Sequence, residues 1–303
     1  PAEPVLGATG WLERHLLPVV VAVGALGVAL PGPGRAVDRH GAIGITLALL
    51  VCTTGLSVTV ARLAGARTQA RRLCLALGSG AVLLPVLAWA AGHLVHPALA
   101  GGVLAAGVAP SEVASVALAG MAGGDPAVAA VAVVASTLIA VVDAGPVLGL
   151  LGAAASVHPL GLLAHLALIL ALPLAVGVGV VSLGLLRGPA LAAGRGLAAP
   201  AVVVLLWEVA SQVRLRPGEA AAALALCCFL AGSVALAWVV TGGMDAAARP
   251  GILVPVALRD FAVAAGIAAS AYGATAAGPL GLYGVLVLVV GSLLARAARS
   301  RPT

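Results

Sequence analysis

Long apolar stretches separated by short polar segments run through nearly the whole chain. A helix needs about 20 predominantly apolar residues to cross the hydrocarbon core of a bilayer. The pattern therefore predicts an all-α, polytopic membrane protein with ten transmembrane helices. They are expected at about 15–31, 41–61, 73–95, 97–123, 125–152, 160–186, 196–213, 219–241, 250–272 and 278–295. The first is predicted to end in the turn Pro31-Gly32-Pro33-Gly34, and the fifth to begin at Asp125-Pro126, an N-cap followed by a first-turn proline.

The fourth and ninth predicted helices each contain a proline followed by charged residues. The fourth has Pro110-Ser111-Glu112 at its middle, and the ninth has Pro255 followed by Arg259-Asp260. A proline inside a helix removes a backbone hydrogen bond, and a charge at membrane depth costs at least about 2.5–3.5 kcal/mol. We therefore predict that both helices break, at Pro110 and Pro255, and cross near the middle of the membrane. Many secondary transporters bind their substrate between such discontinuous helices.

Five predicted helices lie on each side of residue 155. Because five is odd, the two halves must enter the membrane in opposite orientations. This predicts two inverted five-helix repeats, residues 1–155 and residues 156–303. The broken helix is the fourth in each half, and matched interruptions of this kind are typical of transporters built from repeats.

The composition supports a membrane protein and excludes a soluble one. Of the 303 residues, 62% are hydrophobic and 9% are charged, whereas about 25% of residues are charged in soluble domains. All the basic residues that give the net charge of +6 are arginines, and we assign this charge to loops rather than to a nucleic-acid partner. The arginine-only usage suggests a GC-rich bacterial genome and hence the inner (plasma) membrane. Residues 1–14 lack the apolar core of a signal peptide.

The arginines are distributed unevenly between the two sides of the predicted topology. Eleven fall on the side of both termini and four fall on the other side. Since arginine-rich loops face the cytoplasm, we predict that both termini are cytoplasmic. The eleven are Arg14, Arg62, Arg67, Arg71, Arg72, Arg187, Arg195, Arg249, Arg296, Arg299 and Arg301, and the four are Arg35, Arg39, Arg214 and Arg216.

The order of several short motifs resembles the bile acid:sodium symporter family. The motifs are Gly55-Leu56-Ser57-Val58-Thr59, Pro85-Val86-Leu87-Ala88-Trp89, Ala109-Pro110-Ser111-Glu112-Val113-Ala114-Ser115, Ser136-Thr137-Leu138, and Asp260 with Ala262-Val263-Ala264-Ala265. The resemblance implies a panel domain of helices 1, 2, 6 and 7 and a core domain of helices 3–5 and 8–10. It places the crossing of helices 4 and 9 in the core. It also implies secondary transport of organic anions by alternating access.

The positions where this family holds its sodium ligands carry other residue types here. Aligned on Pro110 and Ser115, they are Gly80, Val116, Ala129, Val133, Pro255, Arg259 and Asp260. Sodium needs several hard oxygen ligands, and most of these side chains offer none, so we predict transport without sodium. The chain instead carries Glu112, Asp143, Arg259 and Asp260, and acidic residues inside membranes are commonly proton relays. A proton is therefore the candidate coupling ion.

Nine residues form the predicted substrate- and ion-binding site. They are Glu112, Ser115, Asp143, Arg259, Asp260, Ser111, Ser136, Thr137 and Glu208. We expect Glu112, Arg259 and Asp260 to lie in one cluster, with Asp143 either as a partner of Arg259 or as a group that titrates alone. Three carboxylates outnumber one guanidinium, and like charges at short range disfavour ionisation. At least one carboxyl is thus expected to hold a proton, with Asp260 as the first candidate.

Each of these assignments has a structural alternative. The charged residues at the crossing form an ion pair that only holds the two helices together, or the hydroxyls bond the carbonyls of their own helix. Glu208 either faces the cavity between panel and core or pairs with Arg214. The four cysteines lack metal-ligand spacing, and we expect no metal and no cofactor.

The leading functional prediction is a secondary active transporter of a small organic anion, working by alternating access in the lipid bilayer. It is predicted to be independent of sodium, with a proton as the candidate coupling ion. A sodium-coupled organic anion symporter and a non-transporting receptor of the same fold remain the alternatives. An arsenite permease relative is disfavoured because Ala109 stands where a cysteine is expected. An enzyme is not predicted, because no HExxH motif and no nucleophile with a matched basic partner is present.

Overall fold

The computed structural model describes residues 16–38, 42–57, 70–151, 159–213, 218–245 and 248–299. These ranges are helical apart from connecting turns and one isolated bridge between two residues. The helices are α1 (Leu16–Ala29), α2 (Pro31–Asp38), α3 (Ala42–Ser57), α4 (Ala70–Gly92), α5 (Pro97–Val108), α6 (Ser115–Met121), α7 (Pro126–Leu151), α8 (Pro159–Leu166), α9 (Leu172–Ser182), α10 (Gly188–Gly196), α11 (Ala198–Ala210), α12 (Glu219–Val240), α13 (Arg249–Ala257), α14 (Phe261–Tyr272), α15 (Ala274–Ala277) and α16 (Leu280–Arg299). A π-helical turn, Ala167–Ala171, joins α8 to α9.

Every apolar stretch predicted from the sequence contains helix, but the number of membrane crossings is not settled by helix length. Among the described residues, five helices are long and apolar enough to cross a membrane, or six if α2 and α3, bent by 77° at their junction, count as one. Three others are shorter apolar helices, namely α5, α14 and the run Ala167–Ser182 formed by the π-helical turn and α9. The ten-helix topology and the inverted repeat therefore stay predictions.

The outward faces of the long helices are apolar, as expected of a protein in lipid. Leu75 and Val82 on α4 are 63% and 65% exposed, and Leu150 at the end of α7 is 84% exposed. Exposed apolar patches of this extent are unusual on soluble monomers and mark contact with another apolar phase. These faces therefore fit the acyl chains of a bilayer.

The predicted turn at Pro31-Gly32-Pro33-Gly34 is wrong, because these residues form the start of α2. Prolines are tolerated in the first turn of a helix, where their missing N–H has no intrahelical partner in any case. The helix is also held from outside. Arg35 donates from Nε to the Ser211 carbonyl at 2.8 Å and from Nη2 to the Val213 carbonyl at 3.1 Å, which ties α2 to the end of α11.

The predicted start of the fifth helix at Asp125-Pro126 is confirmed. Helix α7 begins at Pro126, and the Asp125 carboxylate accepts a hydrogen bond from the Ala127 N–H at 2.7 Å. A side-chain acceptor at the N-cap satisfies one of the N–H groups that the first turn leaves without a partner.

The helices pack as two sets. The first set comprises α1–α3 and α8–α11, and the second comprises α4–α7 and α12–α16. Within the first set, α3 and α9 approach so closely that a Cβ atom at Gly55 would lie 2.6 Å from the Leu174 carbonyl oxygen. Glycine at this position lets the two backbones touch. The sets meet where α16 packs on α1 and α11, and where α7 packs on α3 and α8.

Both stretches predicted to be broken are interrupted in the second set. Helix α5 ends at Val108 and α6 begins at Ser115, so Pro110 lies in the first interruption as predicted. The prediction of a break at Pro255 is wrong, because Pro255 lies inside α13, which continues to Ala257. The chain leaves the helix only at Leu258, which takes up an extended conformation. The second interruption lies where residues 258–260 pair with the first interruption, as described next, and not at the proline.

Candidate functional site

The two interruptions bind each other through their backbones. The Glu112 N–H donates to the Leu258 carbonyl at 2.9 Å, and the Asp260 N–H donates to the Pro110 carbonyl at 2.8 Å. Ser111 and Arg259 lie opposite each other between these two bonds, as an antiparallel pair. The two broken helices therefore meet at an extended two-residue contact, and the prediction that they meet is confirmed.

Extended backbone sends successive side chains to opposite sides. Ser111 and Arg259 accordingly share one side of the crossing, and Glu112 and Asp260 share the other. The expected single cluster of Glu112, Arg259 and Asp260 is therefore not formed, because neighbouring residues on an extended segment point apart. We call the first side, with Gly107, Ser136 and Asp143, the guanidinium face, and Glu112 and Asp260 the carboxyl face.

The guanidinium face is built around a buried arginine. Arg259 is 6% exposed, and its Nη2 donates to the Gly107 carbonyl at 3.3 Å in the last turn of α5. Its Nε is buried without a hydrogen-bond partner, as are Ser111 Oγ and Asp143 Oδ1. Arg259 and Asp143 interact electrostatically, as expected from the sequence. Both line a narrow cavity between α4, α7 and α13 that has room for about one water molecule.

Ser136 on α7 holds the crossing from one side, and Thr137 is its neighbour on the same helix. Ser136 Oγ accepts a hydrogen bond from the Ser111 N–H at 2.9 Å and donates to the Val133 carbonyl at 2.9 Å. Thr137 Oγ1 donates to the same carbonyl at 2.8 Å. Both hydroxyls thus bond their own helix, which was the structural alternative, and Ser136 in addition anchors the first interruption.

The carboxyl face holds two buried acids in different settings. Glu112 is 1% exposed and Asp260 is 2% exposed. Asp260 Oδ1 accepts hydrogen bonds from the N–H groups of Ala262 and Val263, both at 2.9 Å, and caps α14. Glu112 Oε1 accepts from the Ala114 N–H at 3.3 Å, whereas Oε2 is buried without a partner. The two carboxyls are close enough to interact electrostatically.

Tyr283 on α16 also reaches the crossing, and sequence reasoning missed it. It is fully buried, and it interacts electrostatically with Arg259 on one face and with Glu112 and Asp260 on the other. It is one of only two tyrosines in the sequence and stands in an otherwise apolar stretch. A lone polar ring inside an apolar helix was the available signal, since buried tyrosine hydroxyls usually seek a partner.

The two remaining predicted residues lie in different places. Ser115 is fully buried at the start of α6, next to the crossing, and its hydroxyl has no partner. Glu208 is 2% exposed and accepts a hydrogen bond from Thr46 Oγ1 at 3.3 Å, between α11 and α3. It therefore lies within the first helix set and away from the crossing. Its suggested partner Arg214 lies outside the described residues.

A larger cavity opens beside the crossing, between the two helix sets. Its volume is about 480 Å³, within the range of small-molecule sites. Its polar lining comes from Thr53, Thr54 and Ser57 on α3 and from Arg195 on α10, while Val113 and Ala114 of the first interruption form the opposite wall. Arg195 Nε donates to the Leu56 carbonyl at 2.9 Å, which fixes its side chain at the cavity.

None of these polar lining residues was among the predicted site residues. The signal was present as an adjacent pair of threonines inside an apolar helix, but both threonines bond the Leu50 carbonyl of their own helix, at 2.7 and 3.0 Å. Arg195 was counted among the loop arginines because it directly precedes the predicted helix 196–213. Only the packing of α10 against α3 brings it to the cavity.

The apolar helices define a transmembrane protein, and broken helices that meet beside a cavity are typical of transporters. Residues 44–187, which extend from α3 past the end of α9, match the sequence model of the Sodium Bile acid symporter family. This match, which covers a little under half of the chain, supports the family resemblance seen in the sequence and suggests a bile-acid-symporter-like membrane transporter. The family consists of transporters and not of enzymes. No curated protein matches the chain.

Proposed function

We propose that the protein is a secondary active transporter of a small organic anion that works by alternating access. The observation that carries this proposal is the position of the 480 Å³ cavity, which lies between the two helix sets and directly against the first interruption. A cavity at a boundary between packed sets changes its opening when one set moves relative to the other. In this proposal α1–α3 and α8–α11 form the panel, and the remaining helices form the core.

The proposed repeat organisation follows the same division. The two halves, residues 1–155 and 156–303, are proposed to be inverted five-helix repeats that give ten crossings with both termini in the cytoplasm. The pairing of the two interruptions, one from each half, supports this arrangement. Seven of the arginines on which the orientation was based lie outside the described residues, namely Arg14, Arg39, Arg62, Arg67, Arg214, Arg216 and Arg301.

The lining of the cavity favours an anionic substrate. Arg195 is the charged residue among the described residues that line it, and hydroxyls of three neighbouring residues complete its polar part. A guanidinium binds carboxylate, sulfonate and phosphate groups with paired hydrogen bonds. Val113, Val116 and Met121 supply apolar surface on the side of α6. An organic anion with one charged group and an apolar body fits both parts of this lining.

A proton is the proposed coupling ion, with sodium disfavoured. The support is the pair of buried carboxyls, Glu112 and Asp260, next to the wall of the cavity. Ionising both at short range in an apolar environment is costly. Binding or release of a proton here would be felt by the first interruption, because Glu112 also accepts a bond from Ala114, which lines the cavity.

The test combines a ligand screen with uptake by proteoliposomes. Carboxylates and sulfonates that raise the melting temperature of the purified protein are supplied as radiolabelled substrates. In Arg195→Gln we expect the KM for such an anion to rise at least about tenfold, as loss of a charged hydrogen bond of about 1.5–3 kcal/mol implies. Arg72→Gln is the matched control, since Arg72 also donates to a backbone carbonyl, that of Gly243, but is exposed. Binding of these anions without any uptake would instead support the alternative, a non-transporting receptor of the same fold.

A further inference from the structure

The C-terminal end of α5 has backbone carbonyls that the helix itself does not satisfy. Pro110 has no N–H to offer the Ala106 carbonyl, and the Ser111 N–H donates to Ser136 Oγ rather than to Gly107. Unpaired carbonyls at a helix end carry a partial negative charge. In discontinuous transmembrane helices, such half-helix ends are where cations are coordinated.

A cation from the other broken helix lies at this end. Arg259 follows α13, and its guanidinium donates to the Gly107 carbonyl at 3.3 Å. Close packing holds the carbonyl in place, because a Cβ atom at Gly107 would lie 2.5 Å from the Ala88 Cβ. The helix end and the guanidinium are thus brought together by residues that are 152 positions apart in the sequence.

The surroundings of the guanidinium are rich in oxygen atoms. Ser111 Oγ and Asp143 Oδ1 are buried and have no hydrogen-bond partner, and Arg259 Nε is in the same condition. Ser136 and Asp143 line the same small cavity as Arg259. Hydroxyl, carboxylate and carbonyl oxygens are the ligands that a small cation takes, and Arg259 donates to one of those around it, the Gly107 carbonyl.

We propose that the guanidinium face is a cation-binding site that Arg259 occupies permanently as a tethered cation. A guanidinium keeps its proton under all conditions that proteins meet, and a side chain cannot leave the site. The free ligand that such a site would take is a guanidinium ion or another small monovalent cation. This inference deepens the proposed function, since it explains how a transporter of this kind dispenses with a free cation at the helix end.

A second arginine provides the matched control. Arg249 also donates through Nη2 to a carbonyl near a helix C-terminus, that of Trp238 at 3.1 Å. It donates through Nε to Thr241 Oγ1 at 3.3 Å and lies over the Trp238 ring, 4.1 Å from its centroid. Two of its three guanidinium nitrogens, Nε and Nη2, are therefore bonded, and neither of these two bonds goes to a carboxylate. Removing it should not leave a site for a free cation.

The experiment removes the tethered cation and supplies a free one. The full-length variants Arg259→Ala and Arg249→Ala, and the wild type, are purified in detergent, and their melting temperatures are measured with millimolar guanidinium, sodium or choline chloride. We expect guanidinium to raise the melting temperature of Arg259→Ala saturably by roughly a few degrees. We expect no rise in the wild type or in Arg249→Ala, and choline should be without effect. Adding Asp143→Asn to Arg259→Ala should remove most of the rise.

The possible outcomes separate the proposal from the transport function, because no substrate or uptake is involved. A rise with guanidinium alone, or with guanidinium and sodium, supports the site. An Arg259→Ala protein that is folded and responds equally to guanidinium and choline overturns it, as does an equal rise in Arg249→Ala. If Arg259→Ala does not fold, Arg259→Gln takes its place, since glutamine retains a polar amide but is shorter than arginine and leaves room at the helix end. The responses of this variant to guanidinium and to choline are then judged in the same way.

Discussion

The guanidinium face and the carboxyl face are built from the same two short segments, yet they differ in charge and in surroundings. Arg259 lies against carbonyl and hydroxyl oxygens on one side, and Glu112 and Asp260 lie together on the other. The separation comes from the extended backbone at the crossing, which turns adjacent residues away from each other. Opposite charges that are neighbours in sequence, Arg259 and Asp260, are therefore not partners in space.

The largest effect is expected from removing the charge of the guanidinium face. Arg259→Gln should reduce uptake to the level of protein-free liposomes while leaving a folded protein. Glutamine keeps a polar amide on a shorter side chain, but the positive charge opposite Asp143 is lost and the carboxylate is left in a buried setting. Uptake and size-exclusion behaviour are measured on the same preparation. Arg249→Gln serves as the control, and normal uptake by Arg259→Gln would make Arg259 a purely structural residue.

The two breaks show what sequence reasoning can and cannot reach. Pro110 marked the first break correctly, because its missing N–H acts locally on α5. Pro255 did not mark the second, because α13 ends where Leu258 accepts a hydrogen bond from Glu112, a partner 146 residues earlier in the chain. A contact over that distance in sequence has no local signal.

The site shows the same limit. Several residues of the crossing were predicted together, although Tyr283 was missed and Glu208 lies elsewhere. Their division between two faces depends on whether the backbone there is helical or extended. A helical reading places residues 259 and 260 about 100° apart, and an extended one places them on opposite sides. The cavity residues Thr53 and Arg195 come together through helix packing alone, so no spacing in the sequence connects them.

The second prediction concerns the carboxyl face and the proposed proton. Glu112→Gln should abolish the stimulation of uptake by an inward proton gradient while exchange of substrate across the membrane continues. Glu112 is favoured over Asp260 as the proton carrier because Asp260 caps α14 through two N–H bonds, whereas one oxygen of Glu112 has no partner. Uptake is measured at fixed interior pH with the outside made progressively more acidic.

Asp260→Asn is the companion variant in that experiment. Asparagine keeps the N-cap acceptor, so this variant isolates the loss of the second charge. If the proton gradient stimulates uptake fully in Glu112→Gln but not in Asp260→Asn, Asp260 is the proton carrier. Asp260 is also the residue that the sequence analysis favoured. Stimulation in both variants would point to Asp143 on the other face.

The third prediction separates the structural part of the carboxyl face from its charge. Asp260→Ala should destabilise the protein by about 1 kcal/mol relative to Asp260→Asn, since only alanine leaves the Ala262 and Val263 N–H groups without an acceptor. Thermal unfolding in detergent provides the measurement. Asp125→Ala removes the corresponding cap of α7 at an exposed position, where water replaces the lost acceptor and the cost should be smaller. Equal melting temperatures for the two Asp260 variants would show that the cap contributes nothing measurable.

The smallest effect is expected from exchanging sodium for choline at fixed pH, which should leave uptake unchanged. Ala129 and Val133 on α7 are fully or almost fully buried and bring no side-chain oxygen. The nearby hydroxyls of Ser136 and Thr137 donate to the Val133 carbonyl, so their protons and that carbonyl are already engaged.

On the guanidinium face, Arg259 fills the helix end and would repel a sodium ion. Uptake is compared in the two salts with the proton gradient held constant, and Arg259→Gln is included to reveal a dependence on sodium that the arginine suppresses. A steep sodium dependence of the wild type would show that the oxygen ligands lie elsewhere, with Ser115 and Glu112, each of which has a buried oxygen without a partner, as the first positions to examine.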